Sequence, residues 1–342
     1  MSSQRRREFL QGIAAASVGA GVVGRAAAQE DQATLGTDAR VVDEVLAEGG
    51  IDRRELGSTG RRVGIYGLGL GSVFTSAMVN QLEVADEMLD RAVTVHGITY
   101  LDTSDDYQAR NEAGELVKSE AIVGRVIDRW RDRVFVSSKA NARDYDGFLR
   151  ACEASLERLQ TDHLDCYSIH ALTRRDDFDK LETGAVRAAR ELREQGVIRG
   201  WGFSCHDGAG LLLSAVERFS PDQIICPFPA GRPDPVAEDE LLPYLAEHKI
   251  SAVAMKPLRG ARAPGIKPLD LVRYTLSLPG LNVALVGTGT IEHMDQIAEM
   301  TTGFNPLIEP DRVALGQQVR AALSTAEQTP WLRQGYVDGR TV

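Results

Sequence analysis

The chain has 342 residues, 43% of them hydrophobic and 26% charged. That is a globular composition with enough apolar residues for one large core. The formal net charge of -10 and an isoelectric point near 5.2 argue against nucleic acid or anionic membrane as a partner, because both repel an acidic surface.

The chain opens on a targeting pattern. Arg6-Arg7-Glu8-Phe9-Leu10 looks like a twin-arginine export motif, an apolar stretch over 13–24 follows, and Ala26-Ala27-Ala28 has the form of a small-residue cleavage site. The twelve apolar or small residues of that stretch are too few to span a bilayer, which needs about 20. Residues 1–28 are therefore expected to be a signal peptide that exports the folded protein to the periplasm or beyond. The twin-arginine machinery is the expected partner, with no stable membrane association after cleavage. Residues 29–50 read as a polar linker with one short helix.

Beyond the linker, short apolar runs alternate with amphipathic stretches. Strands are predicted over 63–68, 98–101, 134–137, 164–169, 198–203, 223–226, 251–255 and 283–286. Helical patterns occupy 81–95, 119–129, 145–159, 178–195, 208–219, 236–248, 268–277 and 291–301. Eight alternations at roughly 30-residue spacing predict a (β/α)₈ barrel over 51–303, with an N-terminal hairpin. A doubly wound sheet is the rival, but Gly67-Leu-Gly-Leu-Gly71 lacks the final spacing of a dinucleotide fingerprint. Residues 304–342 read as a C-terminal extension with a helix over 311–326. The variable loops 72–80, 171–177 and 228–235 are expected to shape a pocket, with Trp331 over its mouth and Trp201 in the core. Cys152, Cys166, Cys205 and Cys226 show no metal-binding spacing, so free thiols and no metal site are expected.

Four polar residues stand at or just past strand ends: Asp102, Tyr107, Lys139 and His170. In a parallel barrel those ends form the face where chemistry happens. A tyrosine, with an ordinary pKa of about 10, is a weak acid–base group near neutrality. A neighbouring ammonium favours its phenolate, and a carboxylate holds that ammonium in place. Tyr107 is therefore the expected proton donor, Lys139 its tuner, Asp102 the partner of Lys139, and His170 a donor that orients a carbonyl oxygen.

The set resembles the aldo-keto reductases. Thr103 beside Asp102 and Tyr107, Ser119-Glu120 with Gly124, Gly200-Trp-Gly-Phe-Ser204, Met255-Lys-Pro-Leu258 and Val286-Gly-Thr288 follow that family's motifs in order over about 51–303. The resemblance implies a nicotinamide-dependent oxidoreductase that interconverts a carbonyl compound, sugar-derived ones included, and its alcohol. It also implies cofactor contacts from Ser204, Cys205, His206, Met255, Lys256, Leu258, Arg259, Gly287, Thr288 and His293. Cys205 stands where the family has Asn, and Ile225 where it has Gln. NADP(H) is expected before NAD(H), with Arg259, Arg262 and His293 as candidates for the 2′-phosphate. A monomer is the default. The alternative is a cofactor-binding regulatory barrel without turnover.

Overall fold

The computed structural model describes residues 50–259 and 264–323. The predicted leader, the linker up to residue 49, Arg262 and Trp331 lie outside the described residues. An antiparallel hairpin comes first, β1 (Arg53–Glu55) with β2 (Arg62–Gly64). Eight parallel strands then close into a barrel. They are β3 (Tyr66–Gly69), β4 (Tyr100–Asp102), β7 (Phe135–Ala140), β8 (Leu164–Leu172), β9 (Ile198–Cys205), β10 (Gln223–Pro227), β11 (Ser251–Met255) and β12 (Val283–Val286). A second hairpin, β5 (Gln108–Arg110) with β6 (Leu116–Lys118), interrupts the alternation between β4 and β7.

Strands such as Val-Ala-Leu-Val in β12 are buried along their whole length, as a parallel sheet covered on both faces demands. Inside the barrel, Tyr100, Phe135, Cys166, Ile225, Val253, Met255, Val283 and Leu285 form one apolar cluster. Leu56 and Val63 join it from the first hairpin. Tyr100 stacks on Phe135 at 5.0 Å and its hydroxyl donates to Gln223 Oε1 at 2.7 Å. A larger cluster fills the layer between the strands and the helices, and Trp201 belongs to it. All four cysteines are buried, and none forms a disulfide. Burial and the nearby carboxylates push the Cys166 thiol well above its ordinary range.

Several elements differ from the sequence reading. The run 63–68 is not one strand, because Ile65 hands the chain from the hairpin to the barrel. Its N–H donates to Asp52 O and its carbonyl accepts from Ala284 N–H. The helix begun at Ser119 stops at Gly124, where a Cβ would lie 2.1 Å from the Arg158 carbonyl. Two 3₁₀ turns, Ile127–Arg129 and Arg131–Arg133, complete that segment. The patterns at 178–195 and 236–248 are helical but contain wide π turns at Glu182–Val186 and Ala237–Leu241. Pro243 follows the second and cannot donate a regular helical hydrogen bond. The expected loop 72–80 holds the helix Ser72–Met78. The C-terminal helix runs Glu309–Ala322, with a proline in its first turn. No helix among the described residues is long and apolar enough to cross a membrane.

Candidate active site

The carboxyl ends of β4, β7 and β8 converge because neighbouring strands of the barrel pair in parallel register. Asp102 pairs with Ser137, and Lys139 with Ser168. Lys139 is only 1% exposed, yet its ammonium is well satisfied. It donates to Asp102 Oδ2 at 2.8 Å and to the Thr103 carbonyl at 2.6 Å. The same nitrogen lies 4.8 Å from the centre of the Tyr107 ring. Behind it, Glu120 accepts from Ser138 Oγ at 2.5 Å and from Arg158 Nε at 2.7 Å. That buried bridge anchors the helix Ser119–Gly124 beside β7.

Tyr107 is carried by a short turn after β4 rather than by a strand. Its N–H donates to the Ser104 carbonyl at 3.2 Å, and its own carbonyl accepts from Ser119 N–H at 2.8 Å. Thr103 Oγ1 donates to Ser119 Oγ at 3.0 Å, and Ser119 Oγ donates to the Leu70 carbonyl at 2.6 Å. These bonds tie the turn to β3 and hold the phenol over the barrel mouth. His170 reaches the same place through an irregularity in β8, whose pairing with β9 shifts between Ile169 and Leu172. Such bulges re-aim side chains. Ala171 takes a left-handed conformation there, φ 52°, and its N–H donates to Ser204 Oγ at 3.0 Å. The His170 ring stands edge-on to Tyr107, with centroids 5.7 Å apart at 89°.

These four residues line a cavity of about 330 Å³. Its floor is the apolar end of the barrel interior: Ile225, Met255 and Leu285. Ser204, His206, Lys256, Leu258, Arg259 and Gly287 also border it. An adjoining cavity of about 870 Å³ is bordered by Thr288 and His293, and by Lys267, Asp270 and Arg273, which the sequence reading passed over. Val73, Leu258 and Gly287 border both cavities. Together they form an elongated groove along the top of β3, β11 and β12. Gly69 and Gly287 let two strand ends approach closely, because a Cβ on Gly287 would sit 3.3 Å from the Gly69 carbonyl.

One expected cofactor contact lies elsewhere. Cys205 does not border either cavity. Its Sγ accepts from Asp207 N–H at 3.2 Å and faces the Gly208 carbonyl, so it closes its own loop. Burial pushes its thiol up to about 12, which keeps it protonated near neutrality. Ile225 does occupy the cavity wall. The glutamine of β10, Gln223, lies two residues deeper, where it accepts from Tyr100 and donates to Ser137 Oγ at 3.3 Å. The fold also assembles a group that the sequence spacing concealed. Side-chain nitrogen and oxygen atoms of Asp105, Asp106 and His170 lie within 4.8 Å of one another. Ser104 already meets the His170 ring there, and Asn141 donates to Asp106.

The family model for the aldo/keto reductase family matches residues 66–267, which takes in every residue of the Asp102, Tyr107, Lys139 and His170 set. The chain belongs to the aldo/keto reductase family. Among curated proteins, this aldo-keto reductase is 32% identical over 243 residues to the uncharacterized oxidoreductase YqkF of Bacillus subtilis (strain 168), covering 67% of this chain and 71% of that protein. It is also 32% identical over 171 residues to the methylglyoxal reductase YeaE of Escherichia coli (strain K12), covering 48% of this chain and 55% of that one. Among solved structures it resembles an aldo-keto reductase from Klebsiella pneumoniae in complex with NADPH, with TM-score 0.61, 25% identity, and coverage of 79% and 95% of the two chains. An aldo-keto reductase from Bacillus halodurans shares the fold, with TM-score 0.60, 21% identity, and coverage of 79% and 96%.

Proposed function

We propose that this aldo-keto reductase uses NADP(H) to interconvert a small carbonyl compound and its alcohol, with Tyr107 as the proton donor. The observation that carries the reading is the buried Lys139–Asp102 pair beneath the Tyr107 ring, with the His170 ring edge-on beside it. A nicotinamide cofactor, when bound, supplies or accepts the hydride. The chain's own residues handle the oxygen. Lys139 keeps the phenol acidic enough to release its proton, and Asp102 fixes Lys139 so that little reorganisation accompanies the transfer. His170 holds the carbonyl oxygen near Tyr107.

The groove suits a dinucleotide. Its first cavity has an apolar floor for a planar ring, with Met255 offering a soft face. Ser204, His206, Lys256 and Arg259 supply polar groups on the walls. The second cavity carries the cations Lys267 and Arg273, with His293 beside them, a set suited to a phosphate on the adenosine ribose. An NADPH-bound structural relative and a methylglyoxal reductase among the similar proteins support NADP(H) and a small dicarbonyl as first choices. The test is reduction of methylglyoxal followed through NADPH oxidation, with both cofactors titrated by fluorescence. Lys267→Ala with Arg273→Ala is expected to weaken NADPH by about tenfold and leave NADH nearly unchanged, because charge-assisted bonds to the extra phosphate are lost. Equal losses for both cofactors would remove these residues from the phosphate site.

Export through the twin-arginine pathway belongs to the same proposal. It would carry the barrel across already folded and with cofactor loaded. A reporter fused to residues 1–35 that stays inside the cell, or that crosses without the twin-arginine machinery, would refute it.

A further inference from the structure

A hydrogen-bond chain behind His170 plays no part in the reading above. His170 Nδ1 lies 3.0 Å from Ser104 Oγ and 3.8 Å from Asp106 Oδ2. The same serine hydroxyl donates to the Lys139 carbonyl at 3.2 Å and accepts from Asp106 N–H at 3.3 Å. A serine has one proton to give. With that proton on the Lys139 carbonyl, Ser104 meets Nδ1 only as an acceptor, so Nδ1 carries a hydrogen. A carboxylate 3.8 Å away favours the same placement, and it favours the charged ring over the neutral one. The other arrangement, with Ser104 donating to a bare Nδ1, gives up the bond to Lys139 and turns a lone pair toward the carboxylate.

We infer that Ser104 and Asp106 are positioning residues that keep a proton on His170 Nδ1, so that the ring donates from Nε2 to a carbonyl oxygen only as the imidazolium. The inference rests on the proposed role of His170 in orienting the carbonyl. A neutral ring with its hydrogen on Nδ1 presents a lone pair at Nε2, which suits an alcohol instead. Reduction and oxidation therefore draw on opposite charge states of one side chain.

The surroundings make this a balance. Lys139 on β7 opposes a second positive charge, but Asp102 on β4 neutralises it at 2.8 Å. Tyr107 meets the His170 ring edge-on, and His206 borders the same cavity from the end of β9. Asp105 neighbours Asp106, and burial together with the charges of Asp106 and Glu120 pushes its carboxyl up to about 7, against Lys118 and Arg158. Two cation–carboxylate pairs thus flank the phenol, Lys139 with Asp102 and His170 with Asp106. The second is the weaker, since the Asp106 side chain is 40% exposed and water screens it.

The deciding measurement is the ¹⁵N spectrum of histidine-labelled protein without cofactor, titrated with pH and assigned through His170→Gln. Nδ1 of His170 is expected to stay protonated while Nε2 titrates. Asp106→Asn is expected to lower that titration by roughly 0.5 pH unit, the size of a half-exposed pair, and Asp106→Glu to restore most of it. Ser104→Ala is expected to raise the share of the neutral ring with its hydrogen on Nε2. In turnover, the descending alkaline limb of kcat for reduction should move down by the same amount in Asp106→Asn and return most of the way in Asp106→Glu. A neutral wild-type ring with its hydrogen on Nε2, or a titration unmoved by Asp106→Asn, overturns the inference. Failure of turnover with the expected spectra would instead refute the carbonyl-reductase reading and leave the assignment of the ring intact.

Discussion

Tyr107→Phe is expected to lower kcat for carbonyl reduction by about 10²–10⁴-fold, the range a positioned proton donor contributes, while the Kd for NADPH changes by less than about twofold. The substitution removes one oxygen and leaves the ring. The 4.8 Å contact with Lys139 and the edge-on packing with His170 both involve that ring, so the fold should hold. The turn bearing the residue is secured by backbone and hydroxyl bonds from Ser104, Thr103 and Ser119. Loss of rate with retained binding places the residue in the transition state rather than in ground-state affinity. Rapid-mixing kinetics under NADPH saturation checks this, and a variant within tenfold of wild type would remove Tyr107 from the chemistry.

Lys139→Met is expected to cost about 3–5 kcal/mol of stability as well as activity, because it leaves a buried carboxylate without its cation. Lys139 and Asp102 are both almost fully enclosed, so water from the cavity they line only partly replaces the lost partner. The double variant Lys139→Met with Asp102→Asn should regain most of that stability, since no uncompensated charge remains. It should not regain turnover, because the phenol then lacks the ammonium beneath it. Chemical denaturation of both variants beside activity assays separates the two effects. A stable and active Lys139→Met variant would show that the pair is neither a structural nor a catalytic necessity.

The four residues proposed for proton transfer were legible because each follows an apolar strand along the chain, and a parallel barrel brings successive strand ends to one face. What brings them into contact is less local. The turn from Asp102 to Tyr107 is set by Ser119, twelve residues past Tyr107, and His170 is aimed by an irregularity in β8 that no residue type announces. The helix Ser72–Met78 was missed because its N-cap, Gly71, makes no side-chain capping bond, which removes the usual start signal. The hairpin β5–β6 left a trace in Gly114, whose φ of 81° closes the turn, but each strand has only three residues. Cys205 sits at a cofactor position by alignment of motifs, yet the loop 205–208 turns its thiol away from the cavity. Lys267 and Arg273 border the groove only because the helices Pro268–Leu276 and Ile291–Thr301 flank one cavity, a pairing that sequence distance hides.

The most direct test is the crystal structure of the NADPH complex with acetate or another small carbonyl mimic bound. The ligand oxygen is expected within about 2.6–3.2 Å of Tyr107 Oη, the reach of a proton donor, and on the His170 side of the ring. Lys139 should remain on Asp102. An oxygen held by other groups, with Tyr107 more than one water away, would contradict the account.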